Sequence, residues 1–149
     1  MWIPPSRGYM KFNVDGSAKG KPGPVGIGGV LRDNLSIVKM IFPKSVGIED
    51  SNVAELLAVR EAMRLFISSC WATSHKLIIE SDSSNVVKWI RNPQSVPWSM
   101  KRIISHIVVL KVQIKECDVM HILRECNDMA DGLAKAGVSR SNNLMVYYN

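Results

Sequence analysis

The chain has 149 residues, the size of one domain and enough to bury a core. Nineteen Lys and Arg against thirteen Asp and Glu leave a formal net charge of +6, which favours a phosphate-bearing partner. The three cysteines, Cys70, Cys117 and Cys126, lack paired C-x-x-C spacing, which argues against a disulfide framework or structural zinc, and the short interrupted apolar runs exclude a membrane span.

Residues 10–15 alternate towards Asp15-Gly16, which predicts a first strand ending in an Asp-Gly turn. Gly20-Lys21-Pro22-Gly23-Pro24 is a loop, residues 25–31 a Gly-rich apolar strand, and Asp33-Asn34 a tight turn into a third strand over 36–42. The three form an antiparallel meander. Gly26, Gly28 and Gly29 are not a dinucleotide fingerprint, because residue 31 is Leu and no helix follows; they are expected to let another backbone pass close by. From Asn52 the period becomes helical, with Leu56, Val59, Met63, Phe66, Ile67 and Cys70 on the buried face. A strand over 76–80 feeds a helix over 83–90 that stops before Asn92-Pro93. After a Pro-containing connector, a second long helix turns Met100, Ile103, Ile104, Ile107, Leu110 and Ile114 inward. Residues 117–123 read as the last strand, and Asn127 as the cap of a final helix ending near residue 137. The boundaries predicted are a leader, 1–9, a domain, 10–138, and a loose tail, 139–149. Met1-Trp2-Ile3-Pro4-Pro5 has no apolar signal core, so a soluble, intracellular protein is expected, nuclear or cytoplasmic.

Four acids, Asp15, Glu55, Asp82 and Asp131, each sit where an apolar run meets a turn or helix start. Carboxylates are the ligands hard divalent cations prefer, and gathered acids repel one another without a cation. Each acid also has an ordinary structural explanation. Asp15 could open a turn, Glu55 complete a capping box with Asn52, Asp82 cap the next helix, and Asp131 complement a helix dipole.

The surrounding motifs decide between these readings. Asp15-Gly16-Ser17, the Gly-Lys-Pro-Gly-Pro loop, Asn52-x-x-Glu55-Leu56-x-Ala58, Glu80-Ser81-Asp82-Ser83 and Asn127-x-x-Ala130-Asp131-x-Leu133-Ala134 resemble type 1 ribonuclease H. The likeness is strongest to the retroelement-derived domains of plants that belong to reverse-transcriptase polyproteins. It runs from about Lys11 to Gly137 and includes the leading Trp2-x-Pro4-Pro5-x-x-Gly8. The resemblance implies an α/β ribonuclease H-like fold, a five-stranded mixed sheet of three antiparallel strands and then two parallel ones, flanked by helices. It further implies endonucleolytic cleavage of the RNA strand of an RNA/DNA hybrid. Asp15, Glu55, Asp82 and Asp131 match the family's metal-binding catalytic acids, expected to hold two Mg2+ ions, with Mn2+ as a substitute, roughly 4 Å apart. Gly16, Ser17, Asn52 and Ser84 match the positions that meet the 2′-hydroxyl. The chain is expected to act as a monomer or as part of a larger polyprotein.

Two departures bear on activity. The loop before Asp131 lacks the histidine many members carry, with Glu125 the nearest stand-in, and the stretch Arg91 to Pro97 lacks the basic protrusion of bacterial members. Lys19, Lys21, Lys88, Lys101, Arg102 and Arg124 remain as candidates for phosphate contact. Trp89, beside Val86 and Ile90, reads as core, and Cys117, His121 and Cys126 lack a fourth ligand for a metal. Two functions therefore stay open: an active hybrid nuclease, or a weak or inactive module of the same fold that binds nucleic acid or protein.

Overall fold

The computed structural model describes residues 2–18, 23–138 and, as backbone, 146–147. Six strands, β1 (Tyr9–Ala18), β2 (Gly23–Arg32), β3 (Val38–Glu49), β4 (Lys76–Ser81), β5 (Cys117–His121) and β6 (Val146–Tyr147), form one sheet in the order β5-β4-β1-β2-β3-β6. The pairs β1–β2, β2–β3 and β3–β6 are antiparallel, while β1–β4 and β4–β5 are parallel. Four helices accompany it: α1 (Ser51–Ile67), α2 (Ser84–Arg91), α3 (Lys101–Val112) and α4 (Asp128–Val138). The expected five-stranded mixed sheet is present. The addition is β6, a two-residue strand on the outer edge of β3 in the segment expected to be loose.

Strand β1 alternates as its sequence does. Met10, Phe12 and Val14 are buried in the main core with Ile27, Leu31, Leu56, Val59, Met63, Phe66, Leu77, Ile79, Ile104 and Ile107. The intervening Lys11, Asn13 and Asp15 point to the other face, where α4 and the leader lie.

Asp15-Gly16 is not a turn. The strand continues through Ala18, pairing Asp15 with Gly28 and Gly16 with Ile27. Gly16 serves instead for a close approach, since a Cβ there would stand 2.5 Å from the Ala54 carbonyl carbon and 2.7 Å from the Glu55 nitrogen. Gly28 plays the same part towards α4 at Leu133 and Ala134. The glycines of β2 thus admit a neighbouring backbone as expected at 26 and 28, whereas Gly29 faces the rings of Phe12 and Phe42.

Other boundaries moved for local reasons. Strand β3 runs on past Phe42, with Pro43 opposite Gly28 in a register that is continuous from Gly26 with Ser45 to Leu31 with Met40. The cap of α1 is Asp50, whose Oδ1 accepts from Val53 N at 2.9 Å, so Asn52 lies inside the helix and Glu55 in its second turn. Ser83, not Asp82, caps α2 by accepting from Val86 N at 3.3 Å. Cys70 is exposed beyond the end of α1, while Trp89 is buried as predicted. Strand β5 stops at His121, two residues early.

Candidate active site

Parallel pairing of β1 with β4 puts Asp15 beside the end of β4, where Asp82 follows Ser81. The close approach at Gly16 lays the second turn of α1, with Glu55, over the same point. The result is a cluster of Asp15, Glu55 and Asp82, each offering one carboxylate oxygen within 4.8 Å of the other two. Asp131, in the first turn of α4, joins from the side through Asp15, with which it shares a hydrogen bond. Lys135, one turn along, holds the Asp131 carboxylate by an ion pair of 2.9 Å.

Asp15 and Glu55 are buried, and among the described residues neither carboxylate is held by an ion pair. Burial lifts the Asp15 carboxyl to about 7, helped by the charges of Asp82 and Asp131 and opposed by a hydrogen bond from Glu55. Glu55 is driven up to about 10 by burial, then by its hydrogen bond to Asp15 and the charges of Asp15 and Asp82, with the Gly16 N–H opposing. Asp82 is raised by burial, against the pull of Arg124 and the Asn127 amide. For Asp131 burial acts upwards too, yet Lys135, Asp15 and Arg124 together hold it below the usual carboxylate range. Among the described residues, Glu55 Oε2 and Asp82 Oδ2 are buried without a hydrogen-bond partner. Two orphaned acceptors in a cluster of acids are an arrangement that a divalent cation with oxygen ligands satisfies.

The remaining candidates divide. Gly16 and Ser17 follow Asp15 along β1, Asn52 precedes Glu55 by three residues on α1, and Ser84 is exposed at the start of α2. Arg124 is exposed and close enough to favour the charged forms of Asp82 and Asp131. Lys101 stands at the start of α3 with its ammonium 5.5 Å from the exposed Trp98 ring. Lys19 and Lys21 lie outside the described residues. Cys117 and His121 occupy opposite ends of β5 and gather no metal site with Cys126. The sequence reading undervalued two residues, Asn13 and Asn127. Both are buried, and Asn127, which stands at the cap position before α4 as expected, also donates its side-chain amide to the Val14 carbonyl at 2.9 Å. Their signal was position: Asn13 shares Asp15's face two residues earlier, and Asn127 stands one helical turn before Asp131.

Residues 13–137 match the family described as reverse transcriptase-like. The chain belongs to the reverse transcriptase-like family. A ribonuclease H protein of Arabidopsis thaliana is 30% identical over 143 residues, covering 94% of this chain and 22% of that relative, so the chain spans about a fifth of the relative's length. Among solved structures, LC11-RNase H1, isolated from compost, superposes with a TM-score of 0.81 at 26% identity, covering 88% of this chain and 96% of that one. RNase H1 of the archaeon Halobacterium salinarum gives 0.81 at 22% identity, covering 88% and 98%, which speaks for the fold alone. LC11-RNase H1 has also been solved in complex with an RNA/DNA hybrid, and that structure matches at 0.79 over 87% of this chain and 96% of that one. This reverse transcriptase-like chain therefore has the ribonuclease H fold over nearly its whole length.

Proposed function

We propose that the chain is a metal-dependent endonuclease that hydrolyses the RNA strand of RNA/DNA hybrids. The observation that carries this reading is the cluster of Asp15, Glu55 and Asp82 with its orphaned buried oxygens, on a fold shared with hybrid-binding ribonucleases H. Asp15, Glu55, Asp82 and Asp131 would hold two divalent cations, Mg2+ or Mn2+, which when bound activate water and stabilise the leaving 3′ oxygen. Asp15 is central, in contact with both Glu55 and Asp131. Binding requires the protons that burial leaves on Asp15 and Glu55 to depart, so cation uptake is coupled to proton release. Gly16, Ser17, Asn52 and Ser84, within three residues of the acids, would meet the 2′-hydroxyl that separates RNA from DNA. Arg124 and Lys101 supply positive charge for phosphates. Family membership and the short share of the Arabidopsis relative support a domain that works within a longer, retroelement-derived polypeptide.

The test is incubation of the pure protein with labelled RNA/DNA hybrid and duplex DNA in Mg2+, Mn2+ or excess chelator. Cation-dependent cutting of the RNA strand alone is expected. Cutting that persists in chelator, or equal cutting of duplex DNA, overturns the assignment. Binding of hybrid without cleavage in either metal leaves a non-catalytic module instead.

A further inference from the structure

Next to the acidic cluster, on the same face of the sheet, the first residues of the leader lie against β1, β2 and β4. The Trp2 indole N–H donates to Asn13 Oδ1 at 2.7 Å. Asn13 Nδ2 donates in turn to Glu80 Oε1 at 3.1 Å and to Asn127 Oδ1 at 3.2 Å. Asn127 Nδ2 donates to the carbonyl of Val14, the residue before Asp15. Lys11 closes the set, 3.2 Å from Glu80 Oε2 and donating to the Ile3 carbonyl at 2.7 Å. Two cations lie over the indole ring, the Arg32 guanidinium 4.5 Å and the Lys11 ammonium 5.5 Å from its centroid. A cavity of about 380 Å³ opens beside Trp2 and Ile3, so the leader is seated by these directed contacts more than by close packing.

The relay has a sense. An indole N–H can only donate and a carboxylate can only accept. Between Trp2 and Glu80, the Asn13 amide has one orientation that satisfies both, with its oxygen to the indole and its nitrogen to the acid. Its second N–H then faces Asn127, which must answer with oxygen and turn its own NH2 group to the Val14 carbonyl and towards Asp82. A reversed Asn127 would set two acceptors against each other in a buried site, at the cost of an unmade hydrogen bond. The Asn127 carbonyl also accepts the Asp131 N–H at 3.1 Å, so this one residue ties the strand bearing Asp15 to the helix bearing Asp131.

We propose that Trp2 is a positioning residue for the acidic cluster: its indole N–H, opposite the Glu80 acceptor, holds the sense of a relay through Asn13 and Asn127 that registers β1 against α4. The functional consequence rests on the reading of the cluster as a cation site. The relay itself is judged separately, by hydrogen exchange.

Trp2→Phe keeps a ring beside Lys11 and Arg32 and removes only the donor; Trp2→Ala removes both. Two measurements on each variant decide the matter, namely local amide exchange in peptides covering 13–16 and 127–131, and calorimetric titration with Mn2+. In Trp2→Phe, exchange should quicken in those two segments while the rest of the sheet stays protected, and Mn2+ affinity should fall about tenfold, the scale for outer-shell partners of metal ligands. Trp2→Ala should lower Mn2+ affinity little further, because the donor and not the ring holds the relay. Unchanged exchange at 13–16 and 127–131, a uniform loss of protection tracking a lower Tm, or unchanged Mn2+ affinity in Trp2→Phe overturns the proposal. Selective exchange in a protein whose wild type takes up no Mn2+ supports the relay and sinks the nuclease reading instead.

Discussion

Two buried polar regions share one face of the sheet and are built on opposite rules. In the network of Lys11, Asn13, Glu80 and Asn127, each side chain finds a partner of the complementary kind. In the neighbouring cluster, acids face acids, and among the described residues Glu55 Oε2 and Asp82 Oδ2 have no hydrogen-bond partner. Burial of a paired group is nearly neutral, whereas burial of an unpaired one costs roughly 1–3 kcal/mol and persists only where something else returns it. The contrast separates scaffold from site more clearly than composition does, because both regions contain buried acids.

Substitutions on either side should therefore act in opposite directions. The largest effect expected is from Asp15→Asn, which keeps shape and removes the charge common to both halves of the cluster. Hybrid cleavage should fall about 10³-fold or more while the cation-free protein becomes more stable to heat. Initial rates and calorimetry check the pair, and an active or a destabilised variant would break the comparison.

On the paired side, Lys11→Met leaves Glu80 buried without its cation and should cost about 3 kcal/mol in urea unfolding, with or without Mn2+. The matching change in the cluster, Glu55→Gln, should instead raise cation-free stability at pH 7, by up to about 3 kcal/mol, since the unfolded chain releases there a proton that burial keeps on the native carboxyl. It should also abolish the rise in Tm on adding Mn2+. Equal destabilisation by the two variants would erase the distinction drawn between the regions.

The pH dependence has a definite sign. Asp15 and Glu55 hold their protons in the native state to about 7 and about 10, well above the range in which the unfolded chain releases them. The native state thus binds more protons, and its stability falls as pH rises. The contribution is fully present below pH about 4 and declines through 7 as Asp15 ionises, at up to roughly 1.4 kcal/mol per pH unit for one proton. Urea melts from pH 5 to 8 in chelator should show this decline, and Mn2+ should remove it. Smallest of all is Lys135→Ala. It takes away an exposed i,i+4 pair with Asp131 and should change stability by no more than about 0.5 kcal/mol, read from the same melts.

Much of this was legible along the chain. Alternation in β1, helical spacing in α1 and α3, and the Asn92-Pro93 stop after α2 placed the elements to within a few residues, because those signals come from the local period of burial. The errors lay where a local signal had a distant purpose. Asp15-Gly16 has the composition of a turn, yet Gly16 is small to receive the backbone of α1, some forty residues away, which no local pattern announces. The strand expected to end at residue 42 runs on through Pro43 by pairing with β2, and Val146 and Tyr147, in the segment expected to be loose, pair with β3.

The motifs singled out four acids, of which the fold gathers Asp15, Glu55 and Asp82, so the identity of the gathered carboxylates was legible in the sequence. Their roles as individual charges were not. Carboxylates more than sixty residues apart, such as Asp15 and Asp82, come within 4.8 Å only because parallel pairing of β1 with β4 brings two strand ends together, and only that enclosure removes water and lifts Asp15 and Glu55. The same holds for Trp2, Asn13 and Asn127. Their chemistry is plain in the sequence, but the sense in which one amide faces the next is set by which donors and acceptors the folded sheet places at its two ends.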